Sequence, residues 1–282
     1  MDMKKWVAEQ IAADRKKPLP VLSFPAIQLM DITVADLIGS TEKQAEAMRL
    51  VAKRVDAAAS VSFMDLSVEA EAFGSEIRVS DDEVPTVIGS IIDDETEPDD
   101  IFVPEVGAGR TGHYIEAIRA VAPLINDRPV FAGVIGPFSL AGLLPPALLG
   151  EFSTPYVKRI VDAAQTDEFA VVYHNCGSSV VKAADEVFAT GSAAYHFGNA
   201  IDMADIMPLV PEGVIAMGNI DPAGEIRNGT PESVRAPTLD LMAKCAQYPN
   251  FVPSTGCDVP PMSPWDNVEA FFAAVDEYYE AR

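Results

Sequence analysis

The stretch Phe169–Ser179, FAVVYHNCGSS, joins a short apolar run of strand-forming residues to a His-Asn-Cys-Gly sequence. Successive side chains on a strand point to opposite faces, so His174 and Cys176 are expected to share one face and Asn175 the other. An imidazole nitrogen and a thiolate sulfur are two of the donors that zinc prefers in proteins. The stretch therefore predicts a strand whose end supplies half of a metal site.

The other half of the metal site is expected near the C-terminus. There a second short apolar segment, Phe251-Val252, is followed by the sequence PSTGCD, which contains Cys257. His174, Cys176 and Cys257 together would offer one imidazole and two thiolates, leaving a fourth position for water or substrate. That donor set is typical of catalytic zinc sites rather than closed structural ones. We therefore predict a Zn²⁺ ion bound by these three residues, which would act in catalysis through the metal. For His174 alone, the alternative is a histidine that only satisfies its hydrogen bonds at a strand end.

The composition narrows the classes of partner. The formal net charge of −23 argues against nucleic acids and anionic membranes, because both attract a basic surface. The sequence contains no apolar run of about 18 residues that would span a bilayer. The first residues, MDMKKWVAEQIAADRKK, predict a charged amphipathic helix rather than a signal peptide. Since the three cysteines suit reduced thiols better than a disulfide framework, we expect a cytoplasmic protein.

Predicted strands alternate with predicted helices along the chain. Seven strands are expected, at residues 19–24, 60–65, 129–135, 169–174, 193–197, 213–217 and 251–253. This alternation indicates a parallel sheet, closed as an α/β barrel, with the active site at the C-terminal ends of the strands. An open doubly wound sheet is the alternative, although no glycine-rich dinucleotide motif follows the first strand. An extended hairpin is expected over 76–92, followed by a solvated acidic loop at 93–100.

A complete barrel of this kind has eight strands, whereas the sequence predicts only seven. The residues between Phe138 and Pro155 leave no room for both a helix and a further strand. We predict that about one βα unit is absent between about Ala141 and Leu144. The unit is either deleted from the protein or lost from the recorded chain with the numbering closed over the gap.

Several other polar residues follow predicted strands and are candidates for substrate binding: Asp65, Glu71, His196, Asn199 and Asp221. The two acidic residues near 65–71 could equally form a solvated or helix-start cluster with Glu69. Asn199 and Asp221 are also common turn residues. For His196 the alternatives are a fourth metal ligand and a partner that hydrogen-bonds a ligand.

Four short motifs occur in order at the predicted strand ends: GPFSLA at 136–141, HNCG at 174–177, MGNIDP at 217–222, and GC at 256–257. With EAEAFG at 69–74, they resemble the uroporphyrinogen decarboxylase superfamily, in particular its zinc-dependent methylcobamide:coenzyme M methyltransferase branch. The resemblance extends from about Val21 to Tyr279. It implies one (β/α)8 TIM barrel domain over residues 1–282, with an N-terminal helix. It also implies one zinc ion, with His174, Cys176 and Cys257 at the positions of the ligand motif.

The resemblance further implies that zinc holds a small thiol such as coenzyme M as a thiolate. This thiolate attacks a methyl group on a corrinoid that a partner protein carries. A free thiol has a pKa near 8.5, and coordination to zinc removes its proton. One alternative is uroporphyrinogen decarboxylation, whose polycarboxylate substrate calls for arginines that the sequence lacks near its first strand. The other is an accessory protein that binds a corrinoid or a metal without turnover, which the missing βα unit favours.

Overall fold

The computed structural model describes residues 1–89, 91, 101–136 and 149–282. Most of the motif at 136–141, the acidic stretch 93–100 and the position predicted for the missing unit lie outside these residues. The predicted absence of about one βα unit therefore stays a prediction, and so does the choice between a deletion and residues lost from the chain.

Short strands and helices alternate along the described chain. The strands are β1 Ser60–Val61, β2 Glu76–Arg78, β3 Thr86–Ile88, β4 Val130–Phe131, β5 Val172–Asn175, β6 Ala194–Phe197, β7 Ile215–Ile220 and β8 Phe251–Thr255. The α-helices are α1 Met3–Ala12, α2 Ala26–Met30, α3 Val34–Ile38, α4 Thr41–Arg54, α5 Ser67–Ala72, α6 Thr111–Val121, α7 Leu149–Phe152, α8 Thr154–Ala164, α9 Ala184–Phe188, α10 Met203–Ile206, α11 Pro231–Cys245 and α12 Trp265–Glu280. Shorter helical turns cover Val180–Ala183, Met207–Leu209 and Pro222–Arg227.

The parallel segments form a curved arc in chain order. Strands β5, β6, β7 and β8 are neighbours in one parallel sheet. The segment 18–23 lies beside β8, because the Leu19 N–H donates to the Pro253 carbonyl over 2.9 Å and Val21 bridges Asp258. On its other side the Ala58 N–H donates to the Pro18 carbonyl over 2.9 Å, and β1 then pairs in parallel with β4. The order around the arc is therefore β4, β1, segment 18–23, β8, β7, β6 and β5.

This order confirms the prediction of an α/β barrel of the (β/α)8 class. Six of the seven predicted strands overlap an observed one, whereas residues 19–24 form only an isolated bridge at Val21. A doubly wound sheet would reverse its strand order at a switch point, whereas these segments follow the chain around a ring. Strands β4 and β5 stand at the two ends of the arc and each has one strand neighbour within the described ranges. The place of an eighth strand is therefore between β4 and β5, where the sequence analysis predicts that about one βα unit is absent.

The N-terminal helix closes one end of the barrel. Met3 and Trp6 of α1 are buried in one apolar cluster with Leu19, Ile215 and Val252, which lie at the N-terminal ends of their strands or near them. The Met3 N–H also donates to the Asp167 carbonyl, just before β5, over 2.6 Å. Because α1 covers the N-terminal ends of the strands, their C-terminal ends form the open mouth.

Local capping fixes several helix boundaries. Helix α1 begins at Met3, since the Asp2 side chain accepts the Lys5 N–H over 2.8 Å. The N-cap of α4 is Ser40, whose side chain accepts the Lys43 N–H. The segment after β5 forms a 3₁₀ turn followed by α9. Strands β2 and β3 pair antiparallel and confirm the predicted hairpin. No helix in the described ranges has the length and apolar character needed to cross a membrane.

Candidate active site at the strand ends

Two of the three predicted zinc ligands meet at the barrel mouth. His174 lies on β5, and its Nε2 atom is 3.9 Å from Sγ of Cys257, which follows β8. Strands β6 and β7 stand between β5 and β8 in the sheet, so the curvature of the barrel brings these side chains together. The Sδ atom of Met64, at the end of β1, lies 3.7 Å from the same sulfur. The mouth thus gathers residues from three separate strands.

His196 on β6 determines which nitrogen of His174 carries the proton. The Thr255 carbonyl can only accept, so Nε2 of His196, 2.7 Å away, is the protonated nitrogen. Burial lowers the pKa of His196 to about 3, which keeps the ring neutral and leaves a lone pair on its Nδ1. Nδ1 of His174, 2.7 Å from that atom, must then be the donor. The lone pair of His174 therefore lies on Nε2, the nitrogen nearest to Cys257.

This donor pair fits zinc. Ligands at about 2.0 Å for nitrogen and about 2.3 Å for sulfur in a tetrahedral site lie about 3.5 Å apart, close to the observed 3.9 Å. Burial also lowers the pKa of His174, which favours the neutral form that binds metals. Within the described residues, however, no group of three His, Cys, Asp or Glu side chains surrounds a common point as metal ligands would. The structure thus presents two donors close together, and the third predicted ligand, Cys176, lies on the segment just beyond β5.

Cys176 lies just beyond β5 and its side chain is exposed. Its charge nevertheless acts on Cys257. Burial is the main reason that the pKa of Cys257 rises to about 11, and the charges of Asp258 and Cys176 raise it further. Without a compensating cation, Cys257 therefore keeps its proton at neutral pH.

Two glycines allow the strand ends to approach each other. A Cβ atom added to Gly198, which follows β6, would lie 2.6 Å from both Cα and Cβ of Cys176. A Cβ atom added to Gly256 would lie 2.5 Å from the backbone nitrogen of Asn199. Any larger residue at either position would force backbone apart. These glycines hold the segments that carry Cys176 and Cys257 against the end of β6.

Arg110 binds both acidic residues that the sequence suggests for substrate binding near β1. Its Nη1 lies 2.6 Å from Asp65 Oδ2, and its Nε lies 2.5 Å from Glu71 Oε2. The Tyr114 hydroxyl donates to the same Asp65 oxygen over 2.8 Å, and Ser67 donates to the other. Burial, together with the Asp65 charge, raises the pKa of Tyr114, so this hydroxyl stays protonated. Asp65 is therefore saturated with protein donors and joins α5 to α6.

Two carboxyl oxygens at the mouth have no such donors among the described residues. Asp258 Oδ1 and Glu69 Oε2 are buried without a hydrogen-bond partner. The second oxygen of Asp258 accepts the Met64 N–H over 3.3 Å, and that of Glu69 accepts the Ile135 N–H over 3.3 Å. Burial raises the pKa of both groups. Glu69 lines a cavity of about 480 Å³ between α5, α6 and the end of β4.

The remaining candidates for substrate binding differ in their surroundings. Asp221 accepts the Ala223 and Gly224 N–H groups, each over 2.9 Å, and so caps a helical turn. Asn199 is exposed and its backbone packs against Gly256. Both ring nitrogens of His196 are engaged within the protein, which favours its role as the partner of His174 over that of a fourth ligand.

The sequence interpretation missed four residues of this site: Met64, Arg110, Tyr114 and Asp258. Two had a local signal, since Met64 precedes Asp65 at the end of a strand and Asp258 directly follows Cys257. Arg110 had none, because its partners Asp65 and Glu71 lie 45 and 39 positions away. Tyr114 lies one helical turn after Arg110, and it can be identified only once the ion pairs of Arg110 with Asp65 and Glu71 are known.

Known proteins share this chain's sequence pattern and its fold. The methylcobamide:CoM methyltransferase MtbA of Methanosarcina mazei is 26% identical over 270 residues, covering 76% of this chain and 78% of the relative. A uroporphyrinogen decarboxylase of Synechococcus sp. is 31% identical over 175 residues, covering 61% of this chain and 47% of that protein. The solved structure of a methyltransferase from Methanosarcina mazei superimposes with a TM-score of 0.82 at 16% identity, covering 99% of both chains, which demonstrates a shared fold.

A family model gives the broadest match. The model for uroporphyrinogen decarboxylase (URO-D) matches residues 26–144 and again 139–278. Its two matches overlap at 139–144, the position at which the sequence analysis predicts an absent βα unit. Together they extend over most of the chain and include His174, Cys176 and Cys257. This chain therefore belongs to the uroporphyrinogen decarboxylase family.

Proposed function

We propose that this chain transfers a methyl group from a methylated corrinoid, carried by a partner protein, to a small thiol such as coenzyme M. Zn²⁺ would be held by His174, Cys176 and Cys257. One observation carries the proposal: the His174 lone pair and the Cys257 sulfur lie 3.9 Å apart at the open end of the barrel. The similarity to proteins named methylcobamide:CoM methyltransferases supports the same reaction.

The chain's own residues prepare the ligands. Burial keeps His174 neutral and His196 accepts the proton on its Nδ1, so no proton has to leave this ring before Nε2 binds a metal. The two cysteines would bind as thiolates. Cys257 must therefore lose its proton on binding, although burial favours its protonated form. Bound zinc would supply the positive charge that keeps an acceptor thiol deprotonated and nucleophilic at neutral pH. Cys176 faces solvent, which leaves the mouth accessible to a large methyl donor.

We also propose that the protein acts in a reducing, cytoplasmic compartment. All three cysteines are free thiols, and two of them are proposed metal ligands. An oxidising compartment would compete for those thiols by joining them in disulfides. The acidic net charge and the lack of a basic cluster in the sequence favour small molecules and proteins as partners over nucleic acids.

The two alternatives have less support. A porphyrinogen with many carboxylates needs free arginines, whereas Arg110 already binds Asp65 and Glu71. Efficient turnover of uroporphyrinogen by the purified chain would nevertheless establish decarboxylation. An accessory protein without turnover would bind zinc or a corrinoid and transfer no methyl group.

Metal content and metal-dependent transfer test the proposal directly. Protein purified without chelator is expected to contain about one zinc ion per chain. It should transfer the methyl group of free methylcobalamin to 2-mercaptoethanol, lose that activity after chelation, and regain it with Zn²⁺. Equal transfer by zinc-free protein would refute the zinc mechanism, and absence of transfer in every state would refute the proposed reaction.

Replacing His196 by alanine is expected to lower zinc affinity by about 10–100-fold, because Nδ1 of His174 loses its partner. The measurement is a competition titration with a chromophoric chelator. His196→Asn is the matched control, since an asparagine oxygen can accept the same proton, and it should recover part of the affinity. If the alanine and asparagine variants bind zinc equally, His196 does not position His174.

Replacing Gly198 by alanine is expected to weaken zinc binding about tenfold or more, because the new methyl group displaces the backbone at Cys176. Gly39→Ala is a suitable control, since a Cβ atom there would meet its nearest neighbour at an ordinary 3.5 Å. Unchanged zinc affinity in Gly198→Ala, measured by the same titration, would exclude Cys176 as a ligand.

A further inference from the structure

We infer that Asn219, near the end of β7, sets the separation between Cys176 and Cys257 by fixing the turn that lies between their two segments. Asn219 is a positioning residue for the metal site and does not bind the metal itself. This inference rests on the proposed zinc site and adds to it a residue outside the ligand set.

The turn that follows β6 touches the segments of both cysteines. Gly198 faces Cys176, since a Cβ atom added to this glycine would lie 2.6 Å from both Cα and Cβ of the cysteine. The next residue, Asn199, faces Gly256, because a Cβ atom added to that glycine would lie 2.5 Å from the backbone nitrogen of Asn199 and 2.8 Å from its Cβ. Gly256 directly precedes Cys257. Two consecutive residues therefore separate the segments that carry two of the proposed ligands.

Main-chain hydrogen bonds connect this turn and the Cys257 segment to their neighbouring strands. The Gly198 N–H donates to the carbonyl of Asn175, the residue before Cys176, over 3.1 Å. The Gly256 N–H donates to the carbonyl of Ile220, at the end of β7, over 2.7 Å. The segment of Cys257 is thus attached to β7 at the residue that follows Asn219.

The side-chain amide of Asn219 attaches the turn to the same strand. Its Nδ2 atom donates to the Gly198 carbonyl over 3.0 Å and to the Ile201 carbonyl over 2.8 Å. An amide nitrogen carries two N–H groups, so both donors are used. The Gly198 carbonyl belongs to the peptide bond between Gly198 and Asn199, which is the part of the turn that separates the two cysteine segments. Because Gly198 is buried, removing the amide takes a donor from a buried carbonyl and releases the turn.

Asn219→Ala is expected to lower zinc affinity about tenfold, because the released turn no longer holds the two thiolates at the distance that the metal requires. Competition with a chromophoric chelator measures this affinity. In the Co²⁺-loaded protein the thiolate-to-cobalt charge-transfer absorption should also weaken, since this absorption reports the sulfur ligands directly. Asn219→Asp keeps the shape of the side chain but removes both donors. It should show the same two losses, and it replaces the alanine variant if that protein does not fold.

Asn267→Ala is the matched control. Asn267 is buried on α12, and its Nδ2 atom likewise donates to two carbonyls, those of Ile226 over 3.0 Å and Gly229 over 2.9 Å. Both carbonyls belong to the connection between β7 and α11. The two alanine variants should therefore lose similar stability in urea, whereas only Asn219→Ala should lose zinc affinity and cobalt absorption. Equal zinc affinities and equal cobalt spectra in the two variants would overturn the inference.

A measurement without metal separates failure of this inference from failure of the proposed function. Phenylarsine oxide bonds to two neighbouring thiols with release of water. The metal-free wild-type protein is expected to capture it about tenfold more tightly than Asn219→Ala does, and Cys257→Ala should not capture it. If the wild-type protein binds no zinc, the proposed function fails, and the ratio of arsenical affinities still decides the role of Asn219. Equal capture by the wild-type and Asn219→Ala proteins would contradict that role even if zinc binds.

Discussion

Cys257→Ala is expected to lose both zinc and methyl transfer, by more than the roughly 100-fold that loss of a ligand's hydrogen-bond partner costs. The variant removes the sulfur that faces the His174 lone pair, and one imidazole and one exposed thiol cannot hold the ion. Zinc content by elemental analysis and the transfer rate from methylcobalamin provide the two measurements. We expect both to fall together.

Cys245→Ala is the control for this experiment. Cys245 is buried at the end of α11, and burial is the main reason that its pKa rises to about 12. Its removal should cost about 1–2 kcal/mol of stability through lost packing and leave zinc and activity in place. Methyl transfer that survives in Cys257→Ala while zinc is lost would instead favour a zinc-free mechanism.

Arg110→Ala is expected to destabilise the fold by about 3–5 kcal/mol, because it leaves a buried carboxylate without its counter-charge. The Asp65 side chain is 0% exposed and receives its charged hydrogen bond from this guanidinium over 2.6 Å. Denaturation with urea, followed by circular dichroism, gives the free energy of unfolding. The loss should be among the largest for any single arginine in the chain.

Two controls distinguish this effect from a general loss of arginine. Arg235 forms an exposed ion pair with Glu277, so Arg235→Ala should cost less than about 1 kcal/mol. Adding Asp65→Asn to Arg110→Ala should recover part of the lost stability, because the uncompensated charge disappears. If Arg110→Ala and Arg235→Ala are equally mild, the Asp65 carboxylate does not depend on Arg110.

Much of the fold was predictable because each strand is a short apolar run that ends in a turn signal. Phe169–Tyr173 before His-Asn-Cys-Gly is one such run, and β5 lies within and just after it. The absence of one βα unit near residue 141 stays a prediction, because those residues lie outside the described ranges. Helix starts were less predictable, because neighbouring residues such as Ser40 and Thr41 compete for the same capping position.

Only the metal-donor side chains of the candidate site were predictable from the sequence. Imidazole and thiol side chains at strand ends identified His174, Cys176 and Cys257 as possible ligands, but their meeting requires strands 83 positions apart to face each other. The same limit applies to the acidic residues. Asp65 and Glu71 were candidates for substrate binding, whereas in the structure both bind Arg110. No residue near them in the sequence indicates that partner.

By itself, the sequence determined where the strands lie, that they run parallel, and which side chains could bind a soft metal ion. These properties depend on the polarity and order of adjacent residues. Tertiary structure decided which strand ends meet, which nitrogen of His174 bears the lone pair, and which carboxyl oxygens remain without a donor. Each of these depends on atoms brought together by the curvature of the sheet, and hydrogen bonds such as that from Ser254 to Leu19 join residues 235 positions apart.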